Sequence, residues 1–132
     1  MIYKFFEIKK KNLNSFRYFL LYGKNKGLIE ETIEKDLKPN LPKNIINYDE
    51  SDILNNTDFF KENILNKSFF ENDKLIIIQR SSDKILRVID EIIEKNIDDI
   101  AIILISETLE KKSKLRNFFE KNKETVCIPF YE

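Results

Sequence analysis

The chain's 132 residues suffice for one domain with a hydrophobic core and are few for two. Apolar residues make up 42% and charged residues 35%, with only 2 Gly and 3 Pro, which excludes collagen-like, proline-rich and Gly/Ser-linker chains and argues against disorder. Lysine plus arginine balance aspartate plus glutamate at 23 each, so the broad positive field of a lone nucleic-acid binder is missing, and DNA contact would have to be local or shared with partners.

Along the chain, the opening residues 1–15 carry Phe5, Phe6 and Ile8 among Lys9, Lys10 and Lys11. They are too short in apolar content and too charged for a secretory leader, and read as a helical lead-in that packs its Phe and Ile side chains on a sheet edge. Five apolar runs follow, at residues 18–22, 45–48, 75–78, 100–105 and 126–130, each rich in β-branched or aromatic residues. Runs of this kind suit strands covered on both faces, as in a parallel sheet, and all fall far short of a membrane span.

Between the runs, apolar residues recur at helical spacing. Leu28, Ile29, Ile33 and Leu37 form one stripe; Ile85, Leu86, Ile89, Ile92 and Ile93 a second; Leu115, Phe118 and Phe119 a third. Ser81, Ser82 and Asp83 stand where they can cap the second helix. The stretch 52–66 is mixed and predicts a short helix from about Thr57, capped by Thr57 or Asp58. Strands alternating with helices predict a single α/β domain over residues 1–132, a three-layer sandwich around a five-stranded parallel sheet.

In such a sheet the loop after the first strand is the usual ligand site, here Gly23, Lys24, Asn25, Lys26 and Gly27. It looks like a phosphate loop that has lost its essential parts. Leu28 and Ile29 follow Gly27, so the closing Lys and the Ser/Thr hydroxyl for magnesium are absent. Lys24 and Lys26 could still draw an anion to the helix start, against the plainer reading of an ordinary strand-to-helix turn. The third strand is followed by Gln79 and Arg80, where a magnesium-holding carboxylate would be needed. Two separate parts of one nucleotide site are missing, so ATP hydrolysis is not expected and no cofactor is implied.

Other clusters have plainer readings. Asp98 and Asp99 suit a turn better than a metal site. Lys111, Lys112, Lys114, Arg116, Lys121 and Lys123 alternate with Glu107, Glu110, Glu120 and Glu124 as a solvated face does, with DNA or subunit contact as the alternative. The sequence has no histidine, and Cys127 is its only cysteine. His-based catalysis, Cys-rich zinc sites and an internal disulfide are thereby excluded; Cys127 reads as a small core residue in a reduced, cytoplasmic setting. In Lys67, Ser68, Phe69, Phe70, Glu71, Asn72, Asp73 and Lys74, two adjacent Phe precede a polar turn. Adjacent side chains diverge, so either one ring is an exposed anchor or both cover the sheet end.

Residues 18–23 followed by Leu28, Ile29, Glu30 and Glu31, then Ser68, Phe69 and Phe70 ahead of residues 74–78, then 103–105 with 109–116 and 128–131, together resemble the N-terminal domain of the bacterial DNA polymerase III delta subunit. The resemblance spans nearly the whole chain. It implies a AAA+-type module with the P-loop NTPase fold, sheet order 5-1-4-3-2 and a degenerate nucleotide site. It further implies a non-catalytic clamp-loader subunit that binds the sliding clamp and helps open the ring for loading on primed DNA.

In that family a Ser-Leu-Phe wedge does the binding; it falls on Ser68, Phe69 and Phe70, with Phe69 in place of the Leu. Lys67, Glu71, Asn72 and Lys74 would form the polar rim of that contact. The family continues into a helical lid and an oligomerisation collar, so this chain is expected to be the clamp-binding part alone. Other loader subunits would be partners of the full-length protein, with DNA reached only in the assembled loader. The alternatives are a nucleotide-binding ATPase with an unconventional loop and a flavodoxin-like scaffold with strand order 2-1-3-4-5.

Overall fold

The computed structural model describes residues 1–10, 12–65 and 73–130. Its strands are β1 (Tyr18–Gly23), β2 (Asn44–Asp49), β3 (Lys74–Gln79), β4 (Ile100–Ser106) and β5 (Thr125–Phe130). Its α-helices are α1 (Lys26–Thr32), α2 (Glu50–Asn55), α3 (Thr57–Leu65), α4 (Leu86–Glu94) and α5 (Lys114–Lys121). All strand pairs are parallel, in the order β2-β3-β4-β1-β5. Read from the other edge this is 5-1-4-3-2, the order anticipated for a AAA+-type sheet and not that of flavodoxin.

Side-chain alternation along the strands divides the core in two. Tyr18, Leu20, Ile76, Ile78, Ile102 and Leu104 face the layer that holds Ile53 of α2, Phe60 and Ile64 of α3, Ile89 and Ile92 of α4, and Leu115 and Phe119 of α5. Phe19, Leu21, Leu75, Ile77, Ile103 and Ile128 face the opposite layer, built from Ile8, Ile29, Ile33 and Leu37. The central strands are buried on both sides, which is why they read as unbroken apolar runs; each fully buried Leu or Ile contributes about 1.5–3 kcal/mol.

Several local expectations need correction. The first helical stripe is not one α-helix: α1 ends at Thr32, and residues Ile33–Leu37 form a π-helical turn that keeps Ile33 and Leu37 inward. The lead-in is only a short 3-10 turn, Phe5–Lys10. Ile8 is buried and Phe5 stacks on Phe130 with ring centroids 5.5 Å apart, but Phe6 is 63% exposed. The residues before the turn are extended because Ile2 bridges Cys127 of β5, and that pairing competes with helix.

The mixed stretch holds two helices, α2 as well as α3. The cap of α3 is neither Thr57 nor Asp58: Asn56 Oδ1 accepts from the Phe59 N–H at 3.2 Å, while Thr57 Oγ1 donates back to the Ile53 carbonyl. Among the described residues, no helix is long and apolar enough to cross a membrane.

Candidate functional site

The chain leaves β1 into α1 on one face of the sheet and leaves β4 toward α5 on the other. This opens a crevice at the carboxyl ends of the strands, where α/β sheets commonly bind ligands. A cavity of about 220 Å³ lies there, lined by Gly23, Lys26, Ile29, Gln79, Arg80 and Ser106, among others. The loop predicted to be a worn phosphate cradle therefore occupies the place such a cradle would.

Two of its residues have structural tasks. Gly23 has φ +144°, and a Cβ there would stand 2.3 Å from the Phe130 carbonyl oxygen, so this glycine lets β1 and β5 close up at their ends. Asn25 caps α1: its Oδ1 accepts from the Leu28 N–H at 3.0 Å, filling one of the donor positions an anion would use. Gly27 does not have a left-handed φ, and a Cβ there would meet only Asn25 Oδ1, at an ordinary contact distance of 3.8 Å. Lys26 Nζ lies 3.9 Å from a Glu107 carboxylate oxygen, both side chains mostly exposed, and Lys24 is exposed at the turn. Basic Lys26 and Arg80 are matched at the cavity by acidic Glu30 and Glu107. The arrangement is a closed turn with balanced charge.

At the end of β3, Gln79 is exposed and Arg80 adopts φ +54°. The Arg80 guanidinium Nε reaches Asp49 Oδ1 at 2.7 Å, and Ser51 Oγ donates to Asp49 Oδ2 at 2.8 Å. The Ser51 hydrogen bond, helped by Arg80, holds the Asp49 carboxyl below its usual range.

Buried Glu50 accepts from both the backbone N–H and the hydroxyl of Ser82, at 2.8 and 2.9 Å. Ser82 caps the 3-10 turn Asp83–Ile85 that leads into α4, and Ser81 donates to the Ile78 carbonyl. Asp83, expected to help cap this same helix, instead caps α5. Its carboxylate accepts from Ser113 Oγ at 2.6 Å and from the Lys114 and Leu115 N–H groups at 3.1 Å. These carboxylates fasten the loops after β2, β3 and β4 to one another. Sequence spacing gave no signal for them, because each partner lies about thirty residues away.

The basic residues near the last helix divide. Lys111 and Lys112 precede α5 and Lys123 follows it. Arg116 is turned inward, its Nε 3.1 Å from Glu120, its Nη1 donating to the Leu109 carbonyl and its guanidinium over the Tyr22 ring. Asp98 and Asp99 precede β4, and the Asp99 carbonyl accepts from the Lys74 N–H. Among the described residues, no group of three or more Cys, Asp or Glu is arranged to hold a metal.

The second candidate site begins where α3 ends. Phe60 is buried and meets Tyr48 edge-on, ring centroids 5.1 Å apart, while Lys61 Nζ reaches a Glu91 carboxylate oxygen of α4 at 2.7 Å. These contacts fix the roll of α3 and leave Phe59 60% exposed on its outer side. Lys67, Ser68, Phe69, Phe70, Glu71 and Asn72 lie outside the described residues. Lys74 opens β3 and is buried, with Nζ turned toward the Asn63 carbonyl of α3 at 3.4 Å.

Neither a protein-family model nor a curated protein matches the sequence. Among solved structures, the fold is similar to that of the Bacillus subtilis DNA clamp loader delta protein (YqeN), with a TM-score of 0.67 and 17% sequence identity. The match covers 96% of this chain and 42% of that one. The five-stranded α/β architecture is thus shared with a clamp loader delta protein, and the chain spans less than half of that protein's length.

Proposed function

We propose that this chain is a non-catalytic clamp-loader module whose residues Ser68, Phe69 and Phe70 bind a sliding clamp and help open it for loading on primed DNA. The observation that carries the reading is the pairing of a AAA+-type sheet order with a crevice whose loop is turned to structural use. Asn25 caps its own helix, Gly23 packs against Phe130, and Arg80 at the end of β3 is ion-paired to Asp49. The likeness to the clamp loader delta fold supports it.

On this reading the module does no bond-making chemistry. It binds the open or strained ring better than the closed one, since only differential affinity shifts such an equilibrium. Phe69 and Phe70 serve as apolar anchors, each worth about 1.5–3 kcal/mol when fully buried on a partner. Lys67, Glu71 and Asn72 set register at the rim, and Lys74 ties the exit of the segment to α3. Other loader subunits are further partners on this reading, and DNA is met in the assembled loader. The setting is cytoplasmic.

Isothermal titration calorimetry against the cognate sliding clamp tests the proposal. Phe69→Ala with Phe70→Ala is expected to weaken binding by about a hundredfold or more, with the far-UV circular dichroism unchanged. Unchanged affinity in the folded double variant overturns the wedge assignment.

A further inference from the structure

The two edges of the sheet are treated differently. At the β5 edge the start of the chain lies alongside: Cys127 N–H donates to the Met1 carbonyl at 2.7 Å and Tyr3 N–H to the Cys127 carbonyl at 3.0 Å. At the other edge β2 pairs with β3, and among the described residues no further strand adjoins it. Edge strands are normally protected by proline, an internal lysine, a bulge or extreme shortness. β2 has no proline, lysine or bulge, and its one charged residue, Asp49, stands at its end. Its six residues run in unbroken register with β3, from Asn44 beside Lys74 to Asp49 beside Gln79. Asn44, Ile45 and Asn47 are exposed, and Ile46, Tyr48 and Asp49 are half-buried.

The strand is also self-complementary. Lys43 precedes it and Asp49 ends it, so a second copy running antiparallel, centred on Ile46, brings Lys43 of each chain opposite Asp49 of the other. The same register sets Asn44 opposite Tyr48, Ile45 opposite Asn47, and Ile46 opposite itself. Two-fold symmetry then satisfies both ends at once. A strand added in parallel would not pair these charges. Lys43 is exposed just before the strand, its Nζ donating to the Lys38 and Pro39 carbonyls at 3.3 and 3.2 Å, and it would exchange those contacts for the partner's Asp49. Asp49 already pairs with Arg80 through Oδ1 and accepts from Ser51 through Oδ2, so the partner's Lys43 would join an ion pair whose carboxylate is shared. Ile46 also lines a groove of about 140 Å³ with Tyr48, Ile64 and Ile76 beside Asn63 and Lys74, which gives the partner's Ile46 a seat of mixed polarity.

We propose that β2 is the interface of a symmetric homodimer, in which the β2 strands of two copies pair antiparallel and join their sheets edge to edge. This does not depend on the clamp-loader reading. Sedimentation equilibrium from about 1 µM to about 1 mM protein reads it directly. The wild type is expected to dimerise within that range. Ile46→Lys, which sets two like charges at the symmetry axis, is expected to abolish dimerisation while keeping the far-UV spectrum. Lys43→Glu is expected to weaken the dimer roughly fivefold at low salt, and less at high salt.

A wild type that stays monomeric throughout, or a dimer that Ile46→Lys leaves intact, overturns the proposal. Should Ile46→Lys fail to fold, hydrogen exchange on the wild type decides. Protection of amides 44–49 that rises with protein concentration supports the edge pairing, and protection independent of concentration overturns it.

Discussion

Asp83 stands at the entry to α4, yet its carboxylate accepts from Ser113 Oγ at 2.6 Å at the entry to α5. Two further bonds, from the Lys114 and Leu115 N–H groups, make one side chain the cap of a helix that begins thirty-one residues later. Ser113 completes the arrangement by accepting from the Arg116 N–H. Through this pair, the loops after β3 and β4 hold each other at the carboxyl edge of the sheet.

Burial pushes the Asp83 carboxyl up, but the hydrogen bonds from Ser113, Leu115 and Lys114 outweigh it and leave it below the usual carboxylate range. A depressed folded-state value means that the charged form adds stability, fully present above the unfolded value and lost as pH falls through the folded one. Asp83→Ala is expected to cost about 1–2 kcal/mol at pH 7. Urea melts of both proteins check this. The difference between them should narrow below about pH 4 as the wild-type carboxylate protonates.

The two glycines of the loop after β1 are expected to behave oppositely. Gly23→Ala forces a side chain into the Phe130 backbone at a positive φ and should cost on the order of 3 kcal/mol. Gly27→Ala meets nothing nearer than Asn25 Oδ1 at 3.8 Å and should stabilise by about 0.5–1 kcal/mol, because alanine loses less backbone entropy in a helix. Thermal melts read both.

Burial in the sheet pushes the Cys127 thiol up to about 12. At pH 8 only on the order of one molecule in ten thousand carries the thiolate, which is the reactive form. Ellman's reagent is expected to leave the native protein unmodified over minutes and to react fully in 6 M guanidinium. Rapid modification of the folded protein would contradict the buried placement.

Phe59 and Phe60 are neighbours in sequence and opposites in the fold. Phe60→Ala should cost about 3–5 kcal/mol, since it empties a site between Tyr48 and the α4 layer. Phe59→Ala should fall within about 0.5 kcal/mol of wild type. Denaturant midpoints compare them.

The strands and helical stripes were legible because each depends on its own side-chain period. A parallel strand covered on both faces, such as residues Ile100–Ser106, must be apolar at nearly every position. The missing phosphate-loop Lys and the absent carboxylate after β3 could likewise be read directly, since such sites need particular residues at fixed spacing. The sheet order came from family resemblance and not from any periodicity.

Only the tertiary structure decided which of two adjacent aromatics turned inward, which helix Asp83 capped, and that the first residues lie along β5 in place of a helix. Each of these choices depends on groups brought together from distant parts of the chain. Local sequence sets what a residue is able to bond, whereas packing of the loops and layers determines which partner comes within about 3 Å.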